Sequence, residues 1–370
     1  MARNQASAVR HALRGNRGRK KSTGPGPLGT GSTLLNLACT DMVDGGFLPG
    51  HYYLFVGDSD SGKTFIGMTC FAEAAINKAY DKYRLIYDGT EHGALMNVRK
   101  FFGKAVEERL ESPKVDGSGE PVYSQTVEQF YDHVDDALRD GRPFVYVLDS
   151  QDALSSEAEQ KKFDQRKRSR RKTTTDDDAT KSLGSYGDGK AKVHSSSLRK
   201  IIGPLYDSKS ILIILNQTRD SFSIFESGTF SGGRALKFYA KLQLWSSVRG
   251  RIKRQVRGKN RQLGITSKVK IVKNHITGKD KIVEIPIYHS HGIDDIGGCV
   301  DYLVSEGIWS KNKSGTIEVH GIGQKFSGRM DDVVRRIEED GMLEDLRDLV
   351  GMTWHDIEKA CEVKRQRRYE

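Results

Sequence analysis

The chain lacks the hallmarks of membrane-spanning and disulfide-bonded proteins. No run of about 18 apolar residues occurs, so no membrane span is expected. The four cysteines are far apart and form no CxxC pair, which argues against a zinc site or a disulfide framework and favours reduced thiols in the cytoplasm. The basic N-terminus has no apolar segment of the kind found in secretory signals.

Positive charge is abundant and clustered. The net charge is +11, and residues 234–281 contain fifteen Lys or Arg but one acid, Asp280. Such clustering predicts an anionic partner, most often nucleic acid, with a solvated surface as the alternative. Residues 1–27 contain seven Lys or Arg and no acid, which predicts a flexible basic tail that is either a DNA-binding arm or simply disordered.

Short apolar runs alternate with helical patterns from residue 31 onwards. Strands are predicted at residues 52–56, 85–87, 144–148 and 211–215, and helices at residues 65–79, 127–138 and 198–206. Continuous apolar strands separated by helices predict an α/β fold in which helices cover both faces of a mostly parallel sheet.

The pattern changes after residue 240. Alternation of apolar and polar residues predicts an antiparallel extension of the sheet, with Leu242, Leu244, Val269, Ile271, Ile282 and Ile285 as its apolar positions. The sequence therefore suggests a core domain over residues 28–290 and a small C-terminal α+β domain over residues 291–370, with helices near 296–306 and 331–340. Two segments interrupt the core: residues 155–195, predicted to be a long polar loop, and residues 219–233.

A phosphate-binding motif gives the strongest functional signal. Residues 57–64 fit the pattern G-x-x-x-x-G-K-[ST] and lie between a predicted buried strand and a helix, as that motif requires. Its members are Gly57, Asp58, Ser59, Asp60, Ser61, Gly62, Lys63 and Thr64. We expect Lys63 to contact the β- and γ-phosphates of ATP and Thr64 to ligate Mg²⁺, assisted by the positive N-terminus of the helix.

Three polar residues follow predicted strands, at the sheet edge where α/β proteins bind ligands. Asp149 is predicted to hold Mg²⁺, although an Asp that merely starts a loop would look the same. Glu91 is a weaker candidate for polarising an attacking water. Gln217 directly precedes the segment that contains Phe222, Phe225 and Phe230, so it could couple the γ-phosphate to that segment; its alternative role is to cap the strand end.

The sequence resembles the RecA-type strand-exchange recombinases, which include phage members of the UvsX type. The resemblance spans about residues 28–325. It is carried by residues 29–32 (GTGS), 91–92 (EH), 148–150 (LDS), 215–219 (LNQTR), 232–240 (GGRALKFYA) and 272–274 (VKN). The last two segments are typical of recombinases rather than of hexameric helicases.

The resemblance implies a function and roles for several residues. It implies an ATP- and Mg²⁺-dependent ATPase that forms filaments on single-stranded DNA and exchanges strands with a homologous duplex. Glu91 would activate water, Gln217 would sense the γ-phosphate, and Lys273 would reach ATP bound by the neighbouring subunit. Residues 155–195 and 219–233 would be DNA-binding loops, with Arg166, Lys167, Arg168, Arg170, Arg171, Lys172, Arg219, Phe222, Phe225 and Phe230 as candidate contacts.

The sequence also departs from the family pattern. One extra residue lies between Asp88 and Glu91, and His275 replaces a second lysine that often follows Lys273 and Asn274. The first DNA loop is longer and more basic than usual. The residues that hold adenine have no counterpart between residues 93 and 103, and residues 6–14 are a poor substitute for the usual N-terminal docking helix.

Two other functions are compatible with the phosphate-binding motif. A RecA-fold ring helicase would share it, although residues 232–240 argue against that class. An ATP-binding regulatory protein with a RecA fold would not need the basic segment at residues 234–281. Assembly into open filaments rather than closed hexamers distinguishes a recombinase from a ring helicase. Salt-dependent affinity for DNA distinguishes a recombinase from a regulatory protein that does not bind DNA.

Overall fold

The computed structural model describes residues 24–90, 96–172, 188–219, 229–230 and 232–366. Its largest element is a ten-stranded sheet with the strand order β12-β11-β10-β9-β1-β7-β6-β2-β3, and β8 pairs with β7 off this path. These strands are β1 (His51–Gly57), β2 (Arg84–Gly89), β3 (Leu110–Glu111), β6 (Phe144–Asp149), β7 (Ile211–Arg219), β8 (Thr229–Phe230), β9 (Leu242–Val256), β10 (Lys259–Asn274), β11 (Lys281–Tyr288) and β12 (Gly292–Ile293).

Two smaller sheets accompany it. One contains β4 (Lys114–Val115) and β5 (Pro121–Val122), and the other contains β13 (Ser310–Lys311), β14 (Ile317–Val319) and β15 (Phe326–Gly328). Among the described residues, the helices are α1 (Thr33–Thr40), α2 (Lys63–Ile76), α3 (Val98–Phe102), α4 (Lys104–Arg109), α5 (Val127–Arg139), α6 (Glu157–Lys172), α7 (Asp188–Ser208), α8 (Gly233–Tyr239), α9 (Asp295–Ser305), α10 (Met330–Glu339) and α11 (Leu343–Ala360).

The central strands are buried on both faces, as their continuous apolar sequences predict. Strand β1 pairs in parallel with β7 and β9, and β6 pairs in parallel with β7 and β2. Alternate residues enter opposite cores: Tyr53 and Phe55 pack on the side of α1 and α2, while Leu54 and Val56 pack on the side of α5, α7 and α8. The predicted α/β fold with helices on both faces is therefore confirmed.

The transition to antiparallel pairing differs from the prediction in two respects. Strand β9 pairs in parallel with β1 over Leu242–Ser246, while its other edge pairs antiparallel with β10 from Leu242 to Val256. Ile282 is 52% exposed, whereas the buried face of β11 is formed by Val283, Ile285 and Ile287. Because Ile282 and Ile285 are three residues apart, they cannot share one face of a strand.

Much of the segment predicted to be a polar loop is helical. Helix α6 occupies Glu157–Lys172 and α7 begins at Asp188, so residues 155–195 are not one long loop. A capping box explains the start of α6: the Glu159 amide donates to Ser156 Oγ at 3.2 Å, and the Ser156 amide donates to a Glu159 carboxylate oxygen at 3.0 Å. Residues 173–187 lie outside the described residues.

The C-terminal segment packs on the core through α11, a helix that the sequence analysis did not predict. The helices predicted near 296–306 and 331–340 are present as α9 and α10. Glu358 of α11 forms ion pairs with Lys279 and Lys281, and Trp354 Nε1 donates to Asp41 Oδ1 at 3.1 Å. One hydrophobic cluster extends from Leu28 to Trp354. Within the described part of the chain, no helix has both the length and the apolar character needed to cross a membrane.

Candidate nucleotide and DNA site

The phosphate-binding motif forms a turn between β1 and α2. Strand β1 ends at Gly57 and α2 begins at Lys63. Gly62 has φ +90°, a left-handed conformation that glycine adopts without strain, and an added Cβ there would lie 2.6 Å from Ile287 Cδ1. The turn therefore requires the second glycine of the motif for backbone geometry as well as for space.

Lys63 is held inside this turn. Its Nζ donates hydrogen bonds to the carbonyl oxygens of Gly57 at 2.8 Å and Asp58 at 2.6 Å. The side chain is largely buried, at 8% exposure. The ammonium group is thus held against the first two residues of the loop.

Two serines from distant strands fix the loop from the side. Ser246 Oγ of β9 lies 2.7 Å from Ser61 Oγ, and Ser267 Oγ of β10 donates to the Ser61 carbonyl at 2.7 Å. Gly57 lies so close to Ser246 that a Cβ added to Gly57 would be 2.1 Å from Ser246 Oγ. The sequence analysis missed both serines, because they are about two hundred residues away from the motif and belong to no local pattern.

Asp149 lies at the end of β6, beside Thr64. Tyr87 Oη donates to Asp149 Oδ2 at 2.9 Å, and the Thr64 hydroxyl also forms a hydrogen bond with this carboxylate. Burial raises the pKa of Asp149, while the hydrogen bonds from Thr64 and Tyr87 and the charge of Lys63 oppose that rise. A hydroxyl and a carboxylate side by side form a pair of oxygen ligands suited to Mg²⁺.

Residues 88–90, just before Glu91, hold the ends of β2 and β6 together, whereas Glu91 lies outside the described residues. Gly89 pairs with Asp149, and the Thr90 amide donates to the Asp149 carbonyl at 2.7 Å. Asp88 is fully buried and accepts hydrogen bonds from Ser124 and from Tyr146 Oη. Asp88 thus serves as an internal hydrogen-bond acceptor. The hydrogen bond from Thr90 holds the backbone before Glu91 close to Asp149.

Gln217 lies next to the phosphate-binding loop. It pairs with Gly57 in the parallel ladder between β1 and β7. Its backbone amide donates to Asp152 Oδ2 at 2.7 Å, and the next residue, Thr218, donates from Oγ1 to Asp58 Oδ1 at 2.5 Å. The end of β7 is therefore hydrogen-bonded both to the loop after β1 and to the turn after β6.

The strand that carries Gln217 continues directly into the second candidate DNA loop. The backbone of β8 pairs with β7, with Thr218 opposite Phe230 and Arg219 opposite Thr229. Phe222 and Phe225 lie outside the described residues. The C-terminal ends of the two candidate loops lie close together, since a Cβ added to Gly233 of α8 would lie 2.7 Å from Ala191 Cβ of α7.

The basic run of the first candidate loop lies in α6. This helix contains Arg166, Lys167, Arg168, Arg170, Arg171 and Lys172 in its C-terminal half. Lys167 is exposed. The structure thus places the run on a helix that leads towards residues 173–187, and its DNA contacts remain a prediction.

A buried polar chain joins the Asp149 segment to α7. His194 of α7 lies 3.0 Å from Gln151 Nε2 through its Nε2 and 2.8 Å from Tyr131 Oη through its Nδ1. Burial, followed by the charge of Lys190, lowers the pKa of His194 to about 3. The ring is therefore neutral at pH 7 and connects the turn after β6 to α7, the helix at the C-terminal end of the first candidate loop.

His194 should make the protein less stable in mild acid. A histidine with a folded-state pKa of about 3 and an unfolded-state pKa near 6.5 binds its proton mainly when unfolded, so stability falls as the pH drops from 6.5 towards 3. At pH 5 the free energy of unfolding is lower by about 2 kcal/mol than at neutral pH because of this one histidine. In thermal unfolding at pH 7.5 and pH 5, His194→Gln should lose less stability on acidification than the wild type. The exposed His291→Gln should behave as the wild type; an unchanged pH dependence in His194→Gln would contradict the assignment.

Lys273 is displaced from the phosphate-binding loop of its own chain. It pairs with Gln243, and Gln243 pairs with Leu54, three residues before Gly57 and so about 10 Å back along the strand direction. Its Nζ donates to the carbonyl oxygens of Lys237 at 2.8 Å and Phe238 at 2.7 Å, at the end of α8. Burial and the charges of Lys273 and Lys241 lower the pKa of the neighbouring His275, which keeps that imidazole neutral at pH 7.

Several known proteins have sequences similar to this chain. The family model of the RecA N-terminal domain matches residues 174–294. The RecA protein of Chlorobaculum parvum is 30% identical over 321 residues, covering 85% of this chain and 79% of that protein. This chain belongs to the RecA family. The RecA proteins of Chlorobaculum tepidum (28% identity, 89% of this chain and 83% of the relative) and Corynebacterium glutamicum strain R (29%, 80% and 69%) are also similar.

Membership of the RecA family confirms the resemblance drawn from residues 232–240 and 272–274, both of which lie within the segment that the family model matches. It identifies the chain as a RecA-type recombinase.

Proposed function

We propose that this RecA-family protein is a DNA-dependent ATPase that polymerises on single-stranded DNA in the cytoplasm, aligns it with a homologous duplex and exchanges strands. The main support for the proposal comes from the hydrogen bonds at the end of β7. Gln217 and Thr218 are hydrogen-bonded to both sides of the candidate nucleotide site, and the same strand continues into the second candidate DNA loop. A change in the bound nucleotide can therefore be transmitted along β7 to the second candidate DNA loop.

The residues of the site fit MgATP. Lys63 would contact the β- and γ-phosphates from the position that it already occupies over the loop, and Gly62 allows backbone N–H groups to surround them. Thr64 and Asp149 would hold Mg²⁺, directly or through water. Bound Mg²⁺ would neutralise phosphate charge, while Lys63 and the loop amides orient the phosphates.

Glu91 would accept a proton from the water that attacks the γ-phosphate. Its neighbour Thr90 is hydrogen-bonded to the backbone at Asp149 and Ser150, so the chain approaches the proposed Mg²⁺ site just before Glu91. Lys273 would act on nucleotide bound by the adjacent subunit, because within its own chain it lies about 10 Å back from the phosphate-binding loop. Hydrolysis would then depend on filament assembly.

The candidate DNA contacts would act mainly on phosphates. The basic residues of α6 would contribute charge without sequence preference, and Phe222, Phe225 and Phe230 would wedge between bases. ATP binding would favour the DNA-bound state and hydrolysis would release it.

The coupling through Gln217 tests this function. Wild-type affinity for single-stranded DNA should rise with a slowly hydrolysed ATP analogue by a factor of about 5–150, the usual range for coupled sites. Gln217→Ala should still bind the analogue, because Lys63 and Thr64 remain, but its DNA affinity should rise little. Fluorescence anisotropy with and without the analogue measures both values. The exposed Gln324→Ala serves as the control.

If the DNA affinity of Gln217→Ala still rose with the analogue as much as that of the wild type, Gln217 would not be the γ-phosphate sensor. Lys273 would then be the next residue to replace. Absence of any increase in the wild-type protein would contradict the proposed function itself.

A further inference from the structure

The turn that follows β6 lies between the candidate Mg²⁺ site and the helix at the end of the first candidate DNA loop. Residues 150–154, here called the β6 turn, begin directly after Asp149 and contain the short 3-10 helix Gln151–Ala153. Gln151 is fully buried in this turn. A buried side-chain amide is costly unless it is hydrogen-bonded, so the partners of Gln151 determine where the β6 turn lies.

One partner of the Gln151 amide is His194 of α7. Gln151 Nε2 lies 3.0 Å from His194 Nε2, and His194 Nδ1 lies 2.8 Å from Tyr131 Oη. Because an amide nitrogen can only donate, His194 Nε2 accepts this hydrogen bond, and the ring proton on Nδ1 is donated to Tyr131. All three side chains are buried. They form a continuous hydrogen-bonded chain from the β6 turn to α7.

A second contact from the same side of α7 reaches the other end of the β6 turn. Lys190 donates to the Leu154 carbonyl and forms an ion pair with Glu159 of α6 at 3.7 Å. Lys190 and His194 are four residues apart, so they lie on the same side of the helix. Because α7 begins at Asp188, its first two turns are held on the β6 turn just after residues 173–187.

The second candidate DNA loop also ends beside Gln151. A Cβ added to Gly232 would lie 3.4 Å from both Nε2 and Oε1 of Gln151. On the neighbouring strand, the Gln217 amide donates to Asp152 Oδ2 at 2.7 Å. The β6 turn therefore contacts the C-terminal ends of both candidate loops and the end of β7, and its first residue is joined directly to Asp149.

We propose that Gln151 and His194 are positioning residues that transmit the state of the first candidate DNA loop to Asp149. The candidate DNA contacts of this loop precede α7 in the chain, so DNA bound there acts on the start of α7. A displacement of α7 moves the imidazole and the Gln151 amide with it, and the β6 turn carries the displacement to the proposed Mg²⁺ ligand. Packed interiors switch between discrete arrangements, so a small shift is passed on rather than absorbed.

This inference rests on the proposed DNA-dependent ATPase function. It adds a route from the first candidate loop to the one through Gln217, which leads to the second candidate loop. Its consequence is that stimulation of ATP hydrolysis by single-stranded DNA depends on the hydrogen bond between His194 and Gln151.

Two substitutions at one position test this hydrogen bond. His194→Leu removes the acceptor, whereas His194→Gln offers a carbonyl oxygen in place of the imidazole Nε2. The quantity measured is the ATPase rate with single-stranded DNA divided by the rate without it. This ratio should fall at least about fivefold in His194→Leu, the lower end of the range for coupled sites. His194→Gln should keep most of the wild-type ratio, and a loss as large as that in His194→Leu would overturn the proposal.

Tyr131→Phe is the matched control for loss of a buried hydrogen bond. It removes the partner of the other nitrogen of the same imidazole but retains the contact between His194 and Gln151. Gln151→Met keeps the length of the side chain without its amide and should lose stimulation as His194→Leu does, whereas Tyr131→Phe should keep it. Thermal unfolding and titration with ATP and Mg²⁺ establish that each variant is folded and binds nucleotide. A wild-type ratio in Gln151→Met, or an equal loss in Tyr131→Phe, would overturn the proposal.

Hydrogen exchange of the wild-type protein tests the same route without a substitution. Addition of single-stranded DNA to the complex with a slowly hydrolysed ATP analogue should change the exchange of amides in residues 150–154. Exchange in β13 and β14, which belong to a separate small sheet, should stay constant. Unchanged exchange in residues 150–154 would overturn the proposal. Failure of the proposed function would appear differently, as a wild-type ATPase that single-stranded DNA does not stimulate.

Discussion

Lys63→Ala should abolish detectable ATP binding and, with it, ATP-dependent DNA binding. Lys63 supplies the main side-chain charge expected on the β- and γ-phosphates, and its Nζ is already held over the loop by the carbonyls of Gly57 and Asp58. Isothermal titration with ATP and Mg²⁺ measures the loss. Substitution of the exposed Lys78 by alanine removes the same charge outside the site and should leave ATP binding unchanged.

Truncation of a buried lysine also affects the local fold, so thermal unfolding of Lys63→Ala is recorded in parallel. A folded variant that binds ATP with wild-type affinity would show that residues 57–64 are not the nucleotide site.

Glu91→Gln should leave ATP binding intact and slow hydrolysis by roughly 10² or more, the effect expected from loss of a general base. The amide keeps the size of the side chain but cannot accept the proton from water. Complexes with single-stranded DNA should persist longer, because release follows hydrolysis. Steady-state ATPase in the presence of single-stranded DNA measures the rate, and the exposed Glu120→Gln is the matched control.

An unchanged turnover in Glu91→Gln would place the general base elsewhere. Asp88 is a poor substitute, because its carboxylate is fully buried and accepts hydrogen bonds from Ser124 and Tyr146. His92 would be the next residue to replace.

The sequence predicted the parts of the fold that depend on local patterns. Strands β1, β2, β6 and β7 were predicted because each is a short apolar run with turn residues at its ends. The phosphate-binding motif was recognisable because its spacing alone defines a strand-loop-helix unit. Helix α6 could also have been predicted, since Ser156 and Glu159 form a capping box three residues apart.

Other features depend on contacts between distant residues and have no local signal. Ser246 and Ser267 reach the loop at Ser61 only because β9 and β10 fold back beside β1. The chain from Gln151 through His194 to Tyr131 joins three elements that are separated in the sequence. The basic segment at residues 234–281 predicted an anionic partner, but only the pairing of β9 with β10 shows that part of it forms a projecting ribbon.

Electron microscopy of the protein on long single-stranded DNA with a slowly hydrolysed ATP analogue tests the central claim most directly. The wild-type protein should form open helical filaments with the analogue, and Lys63→Ala should form none. Closed hexameric rings on DNA would indicate a RecA-fold helicase instead, and absence of any nucleotide-dependent assembly on DNA would contradict the recombinase function.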